Sequence, residues 1–536
     1  MKPILSSCSS PATEADLPMP TDSAMPHAHL AGAHALLEHP EGPAGQGSDA
    51  APHGNAAQPA QAHGHPHHRL PMGGRFLMPH KRDFGDSNRF FAREGGNPLA
   101  DAFEGKLTVH PGMGGLPVAG ERRASLLESL SRKPAMGPRL AYIHVPFCEI
   151  HCLYCSFYQN KYRREAGAEY TEALIRELQL WSDREAQNGA PVHALYLGGG
   201  TPTALEPEDL ARVLRAAATY LPLANDCEIT LEGRVADLTA PRIEAALAHG
   251  VNRFSLGVQS FNTDVRRAMG RRADQETLLK NIHLLQTYNQ AAVVVDLIYG
   301  MPNQTMAVWE DDLRVARSLD LDGLDCYQLG VHTASPLATA IANGRIAPAA
   351  DVAMQSRMFA MSSEFFEDSL FRRLSISHWG RTPRERNLYN LYTKTGVDCL
   401  AFGPGAGGSL HGHMTYNSRD YAAWLAQVTA GQKPLAMLME PAPRFRLDKA
   451  LVSGLEQGVL DWQRIDSLCE EQPLGDSNGG KSLRGMLLPL LSQWQRAGLC
   501  ECTGRHCTLS LAGQFWYVNL TQLLLEYLDE QLRQAA

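Results

Sequence analysis

The stretch Tyr142-Ile-His-Val-Pro-Phe-Cys148-Glu-Ile-His-Cys152-Leu-Tyr-Cys155-Ser-Phe-Tyr-Gln-Asn160 decides how this chain is read. An apolar run with the look of a buried strand leads directly into three cysteines spaced CxxxCxxC. Three thiolates looped this closely hold three irons of a four-iron cluster and leave the fourth iron open to another ligand. A structural zinc site wants a fourth protein ligand and commonly starts from CxxC pairs. His144 and His151 flank the triplet and keep zinc as the competing reading of these residues alone.

Outward from the triplet, apolar runs alternate with amphipathic segments. Strands are predicted at 140–147, 193–198, 227–233, 251–259, 291–299 and 323–330, and helices at 168–187, 206–220, 240–249, 274–289 and 306–319. In the first helix Leu174, Ile175, Leu178 and Trp181 fall on one face. Repeated strand–helix alternation predicts an α/β fold in which six parallel strands, backed by helices, curl into a partial barrel. Chemistry in such folds sits at the carboxyl ends of the strands, and the triplet follows the first of them.

Four regions are predicted. Residues 1–84 are rich in Ala, Pro, Gly and His without sustained periodicity, which predicts a disordered extension; its cluster His63, His65, His67 and His68 has no defined ligand spacing. Residues 85–137, with Phe90, Phe91 and Phe103, read as a lead-in that packs on the main domain. The barrel occupies 138–425, ending in a loop-rich part with the Gly-dense Phe402-Gly-Pro-Gly-Ala-Gly-Gly-Ser409. Residues 426–536 form a small, mostly helical, winged-helix-like unit without a basic stripe for DNA.

Composition narrows the function classes. The 536 residues carry a net charge of -8, against a general polyanion binder, so nucleic acid is not expected as a partner. No run of eighteen apolar residues predicts a membrane span. Of eleven cysteines only 148, 152 and 155 read as a metal-type group; Cys227, Cys326 and Cys399 sit in or beside apolar segments as small hydrophobes. The odd total without a small-domain framework points to a reducing cytoplasm.

Further polar residues stand where a ligand cage would need them. Leu197-Gly-Gly-Gly-Thr201-Pro202 ends the second strand, where glycines allow close approach to the backbone. Glu232 follows the third strand, Gln259 the fourth, Asp296 lies on the fifth, and Arg271 follows Gln259. One such residue reads as a satisfied core polar group; a set around one mouth reads as a binding site.

With these residues assembled, the region from about 138 to 420, and more loosely the tail, resembles the radical S-adenosylmethionine (SAM) enzymes. The branch is the one containing oxygen-independent coproporphyrinogen III oxidase. The match rests on CxxxCxYC, the GGGTP run, Thr230-Leu-Glu232, Phe254-Ser-Leu-Gly-Val-Gln259 and Asp296-Leu-Ile-Tyr-Gly-Met-Pro302. The resemblance implies a [4Fe-4S] cluster on Cys148, Cys152 and Cys155, with SAM chelating the open iron. It further implies that Tyr142, Phe157, Gly199, Gly200, Thr201, Glu232, Gln259, Arg271 and Asp296 line the cofactor. Electron transfer to the sulfonium would then yield methionine and a 5'-deoxyadenosyl radical inside the barrel.

Within the branch, the porphyrinogen oxidase carries a further Cys two residues after the third cluster ligand, where this chain has Phe157; a heme-chaperone subtype shares the YCxF form. The run Phe157-Tyr-Gln-Asn160 and the segment Ile376-Ser-His378-Trp379-Gly-Arg381-Thr-Pro-Arg384-Glu-Arg386-Asn387-Leu-Tyr-Asn390 resemble the anaerobic heme-degrading radical SAM methyltransferases, the anaerobilin synthases. That likeness implies heme as substrate, methylated and ring-opened with release of iron and a linear tetrapyrrole, and a low-potential electron donor such as flavodoxin or ferredoxin. Arg381, Arg384 and Arg386 are expected at the propionates and His378, His411 and His413 as candidate iron ligands. The chaperone and the oxidase remain the alternatives.

Overall fold

The computed structural model describes residues 87–107, 115–135, 137–155, 157–333, 335–471 and 482–535. The expected extension over 1–84 and its histidine cluster lie outside the described residues. Strands β1 (Arg139–Val145), β2 (Val192–Gly199), β3 (Leu223–Arg234), β4 (Arg253–Gln259), β5 (Ala292–Tyr299) and β6 (Gly323–Gln328) run parallel and adjacent in chain order. Each corresponds to one of the six expected runs.

The two faces of this sheet have opposite chemistry because side chains alternate along a strand. Ile143, Leu197, Leu231, Phe254 and Val293 are register partners across five strands. All are buried in one apolar cluster with Leu174 and Leu178 of helix Arg164–Gln179, Val213 and Leu214 of Pro207–Tyr220, and Ile282 of Gln275–Tyr288. One residue earlier, the row Tyr142, Tyr196, Thr230 and Arg253 points the other way, into the curled interior. The curl brings Tyr327 of β6 within electrostatic reach of Tyr196 of β2, although four strand spacings separate them along the sheet.

Sequence patterning missed both flanks of the barrel. On one side the short strand β7 (His378–Gly380) pairs antiparallel with β6. On the other, β8 (Cys399–Phe402) pairs parallel with β1, a seventh parallel strand. Beyond it run the antiparallel strands β9 (Gly407–Leu410), β10 (His413–Asn417) and β11 (Leu435–Glu440). The Gly-dense stretch thus makes the turn into β9 and much of that strand. The expected helix over 168–187 is also shorter: it ends at Gln179, and a separate turn of helix follows at Glu185–Asn188.

The lead-in does not pack on the barrel alone. Its backbone is held by the C-terminal unit: Trp494 Nε1 donates to Phe90 O (3.1 Å), Trp516 Nε1 to Pro98 O (3.0 Å), and Gln493 Nε2 to Ala92 O (2.7 Å). Helix Pro98–Asp101 touches helix Val352–Glu367 of the barrel as well as the C-terminal Leu511–Phe515, so it bridges the two. The C-terminal unit has the element order of a winged helix. Helix Phe445–Gln457, strand β12 (Val459–Asp461) and helices Trp462–Glu471 and Leu483–Arg496 precede the hairpin of β13 (Cys500–Cys502) and β14 (His506–Leu509). No helix among the described residues is long and apolar enough to cross a membrane.

Charges close the floor of the barrel. Arg253 Nε donates to Glu385 Oε2 (3.0 Å), and fully buried His378 contacts Asp325 through Nδ1 (2.7 Å) and Glu385 through Nε2 (3.0 Å). Burial alone would depress the His378 pKa, but the two carboxylates carry it up to about 9. Burial opposes ionisation of Glu385 too, yet Arg253 and His378 hold it at about 2. Removing one partner of such a pair leaves a buried charge uncompensated, so Glu385→Ala should cost about 3–5 kcal/mol, read as a lower unfolding midpoint. The sign of the pH dependence follows from the shifts. The His378 contribution is complete below its unfolded value of 6.5 and is lost as pH rises through about 9. The stability gap between the protein and His378→Gln should therefore narrow over that range in denaturation curves taken at successive pH values.

Candidate functional site

The loop bearing the three cysteines is pinned at several points to the carboxyl ends of the strands. Phe147–Cys148 pairs with Asn160–Lys161, closing the loop on itself. Leu153 N donates to Met269 O (3.2 Å), and Arg271 Nε donates to Tyr154 Oη (3.1 Å) while its Nη1 donates to Gly257 O (2.6 Å). Arg234, at the end of β3, bridges Glu149 of the loop (2.9 Å) and Asp237 (2.8 Å). Leu153 and Tyr154 pack on an apolar patch of Met269, Met301, Leu329 and Leu337 that covers this side of the mouth.

Donors point at the sulfurs. Thr201 Oγ1 donates to Cys148 Sγ (3.3 Å) and the Phe157 amide to Cys155 Sγ (3.3 Å). Burial pushes the Cys148 thiol up to about 11 and raises Cys155 as well, with those donors acting in the opposite direction, toward the thiolate. The three sulfurs do not come together as a set within 4.8 Å of one another; among the described residues the only three-residue donor set that tight lies elsewhere. One tetrahedral ion would hold its sulfurs about 3.8 Å apart. A wider spread with donors to the sulfurs suits a polynuclear cluster, whose thiolates bind separate irons.

The glycine run forms a cradle beside them. Gly199 has φ +102°, and a Cβ there would lie 2.5 Å from the His144 ring; at Gly200 it would lie 2.5 Å from Phe147 O. The His144 ring is fixed between Tyr142 Oη (3.0 Å) and Gln159 Nε2 (3.0 Å). Glu232 receives hydrogen bonds from Tyr196 Oη (2.7 Å) and the Gly199 amide (3.2 Å), so its carboxylate is held directly behind the cradle. Farther round the mouth, Gln259 has φ +73°, a rare and strained conformation for a side-chain-bearing residue. Asp296 accepts from Ser255 Oγ at 3.5 Å. Gly199, Gly200, Thr201, Glu232 and Gln259 thus stand at or near the carboxyl ends of their strands, whereas Tyr142 and Asp296 lie mid-strand. His144, Gln159, Tyr196 and Arg234 were not among the expected cofactor residues; the signal for two of these was the alternation that puts Tyr142 with His144, and Tyr196 with Gly198, on the inner face.

The arginines expected at the substrate lie at the opposite end, whereas His378 is the register partner of Asp325, which pairs in turn with Asp296. His378 has both ring nitrogens engaged by buried carboxylates, which leaves neither for iron. Arg381 pairs with Asp320 (2.5 Å), Arg384 Nη2 donates to Ala291 O (2.7 Å), and Arg386 Nη2 donates to Asp226 O (2.9 Å). Those partners precede or begin β6, β5 and β3, at the barrel floor. The His411 amide donates to Asp398 (2.6 Å), just before β8, and His413 lies opposite Leu410 in the same hairpin. Tight spacing in sequence suggested one site; the hydrogen-bond partners of the arginines and of His411 put those residues at the floor.

Comparison with known proteins fits this geometry. Residues 142–316 match the radical SAM superfamily. Anaerobilin synthase of Escherichia coli O157:H7 is 41% identical over 446 residues, spanning 83% of this chain and 96% of that protein. The heme chaperone HemW of Bacillus subtilis is 29% identical, over 59% of this chain and 83% of its own. The structure of coproporphyrinogen III oxidase (HemN) from Escherichia coli, a radical SAM enzyme, has a TM-score of 0.64 at 21% identity. It covers 75% of this chain and 93% of that one, a shared fold.

Because Gly199 combines a left-handed backbone with a His144 ring in the path of any Cβ, Gly199→Ala should destabilise the protein by about 1–3 kcal/mol. Thermal unfolding is the measurement, with Gly431→Ala, also at positive φ but facing open space, as the control for backbone strain alone.

Proposed function

The chain belongs to the anaerobilin synthase family within the radical SAM superfamily, and on that premise we propose that it methylates heme and opens the porphyrin ring without oxygen, releasing iron and a linear tetrapyrrole. The observation that carries this reading is 41% identity across 96% of anaerobilin synthase, against 29% across 83% of the heme chaperone. Phe157, at the position where the oxidase has a further cysteine, supports it. A low-potential donor such as flavodoxin or ferredoxin supplies the electron.

The family's cofactors are a [4Fe-4S] cluster and SAM, and together they supply one-electron cleavage of the sulfonium and a carbon-centred radical. In the proposal Cys148, Cys152 and Cys155 hold the cluster. Thr201 and the Phe157 amide stabilise the thiolate form of two of these ligands through their donors to sulfur. Gly199 and Gly200 let the amino-acid end of SAM approach the backbone, beside Tyr142 and Glu232. Glu232 is pre-oriented by Tyr196 and the Gly199 amide, so it binds without first losing side-chain freedom. Gln259, Arg271 and Asp296 complete the wall of the mouth. Arg271 also ties Tyr154 of the cysteine loop to Gly257, which fixes the loop against β4. The apolar patch around Leu153, Met301 and Leu337 keeps water from a reactive radical.

Anaerobically reconstituted protein given heme, SAM and a reductant should form a methylated linear tetrapyrrole together with 5'-deoxyadenosine, followed by mass spectrometry. Intact heme passed to an acceptor would favour the chaperone instead, and a vinyl-bearing product from coproporphyrinogen the oxidase. In the same preparation Arg381→Ala and Arg384→Ala should leave heme affinity within about twofold, because a surface contact at the floor does not reach a ligand at the mouth; a large loss in a heme titration would put the substrate at the other end.

A further inference from the structure

Three cysteines that the cluster chemistry does not use meet in the C-terminal hairpin. Cys500 and Cys502 stand two residues apart on β13 and so share a face; Cys507 of β14 is the direct register partner of Cys502, with Cα atoms 4.0 Å apart. Their sulfurs all lie within 4.8 Å of one another, the only such group of three metal-type donors among the described residues. The spacing Cys500-x-Cys502-x4-Cys507 looks unremarkable in sequence because the hairpin turn, not the chain order, brings the third sulfur in.

We propose that the reduced hairpin is a three-thiolate site for one thiophilic cation of the zinc class. Tetrahedral zinc with Zn–S bonds near 2.3 Å sets neighbouring sulfurs about 3.8 Å apart. Cys500 Sγ and Cys502 Sγ are 3.8 Å apart without any ion to hold them. Cys502 and Cys507 are joined as a disulfide in the structure. Once that bond is broken the two sulfurs separate to van der Waals contact, which is close to the same tetrahedral edge. Reduction by a small dithiol balances as one disulfide formed in the reductant for the protein disulfide broken, leaving two protein thiols. A divalent cation then displaces three protons from Cys500, Cys502 and Cys507.

The surroundings suit such a centre. Cys500 and Cys507 are buried, whereas Cys502 borders a cleft of about 370 Å³ lined also by Trp462, Arg484, Gln495 and Thr503. The cleft leaves a fourth coordination position for water or a small ligand. Three thiolates and a divalent cation carry one net negative charge, and the Arg484 guanidinium is fixed beside it by donating to Thr503 O (2.9 Å) and Gly504 O (2.7 Å) in the hairpin turn. Oxidised and metal-bound forms use the same sulfurs and exclude each other. A compartment reducing enough for a low-potential cluster does not preserve a hairpin disulfide, so the thiol form is the one available to metal.

The test uses cluster-reconstituted full-length protein, reduced anaerobically, equilibrated with zinc chloride and desalted, with zinc and iron measured together by mass spectrometry. The expected result is roughly one zinc per chain in the parent, lost in Cys507→Ala and in Cys500→Ser, with iron content unchanged. Iron retention shows that the barrel of each variant is folded, and cadmium in place of zinc should give a thiolate charge-transfer band that Cys500→Ser removes. Treatment with oxidised glutathione should release the zinc while peptide mapping finds the Cys502–Cys507 disulfide. Equal zinc in parent and variants, or zinc retained with that disulfide closed, would overturn the proposal.

Discussion

The ion pair between Arg253 and Glu385 sits where the whole barrel has to be closed. Both side chains are essentially inaccessible, at 1% and 0% exposure, and neither would be tolerated there alone, since the desolvation of an isolated charge amounts to several kcal/mol. Glu385 also receives His378, which in turn contacts Asp325 of β6, so a single carboxylate connects β4, β6, β7 and the segment after β7. The consequence is a buried charge network that ties these strands together inside the barrel.

Burial explains part of what was legible in the sequence and what was not. The six barrel strands were readable because most carry apolar runs, as in Ala292-Val-Val-Val-Asp-Leu-Ile-Tyr299, that alternate with amphipathic segments, and because both faces of a parallel strand are buried. β8 was not readable: four residues, Cys399–Phe402, precede a run of glycines that looks like a loop, and its place beside β1 is set by pairing with a strand some 260 residues earlier. The placement of Thr201, Glu232 and Gln259 was legible because motif and strand end coincide there. His378 and Arg381, Arg384 and Arg386 were misread for a physical reason. A buried charge that stabilises a floor and a charge that waits for a substrate are the same residue type, and only the partners, here Asp325, Asp320, Ala291 and Asp226, distinguish them.

The lead-in and the C-terminal unit illustrate a related point. Residues 87–107 contain too little regular structure to fold by themselves, yet their carbonyls at Phe90, Ala92, Pro98 and Gly105 each meet a side-chain donor from the last helices. Those donors, Trp494, Gln493, Trp516 and Asn519, are polar groups on largely apolar or amide side chains that would otherwise be buried without partners. Each side thus satisfies the other's hydrogen bonds. Such reciprocity over more than 400 residues of sequence separation has no local signature, so the hydrophobes and aromatics of the lead-in, such as Phe90, Phe91 and Phe103, assigned it to the main domain.

Cysteine geometry separates two kinds of chemistry in one chain. In the loop after β1, intervals of three and two residues around Glu149 to Tyr154 spread the three thiols more widely than the hairpin set, with Thr201 donating to Cys148 and the loop's own Phe157 amide to Cys155. In the C-terminal hairpin, strand pleat and register instead compress three thiols onto one face of two paired strands. A loop can adjust to a large cluster because its backbone is anchored only at points such as Arg234 and Met269. Paired strands cannot, since every residue there is committed to a ladder with a fixed repeat. The rigid hairpin therefore offers a small, predefined coordination volume and the anchored loop a large, adaptable one.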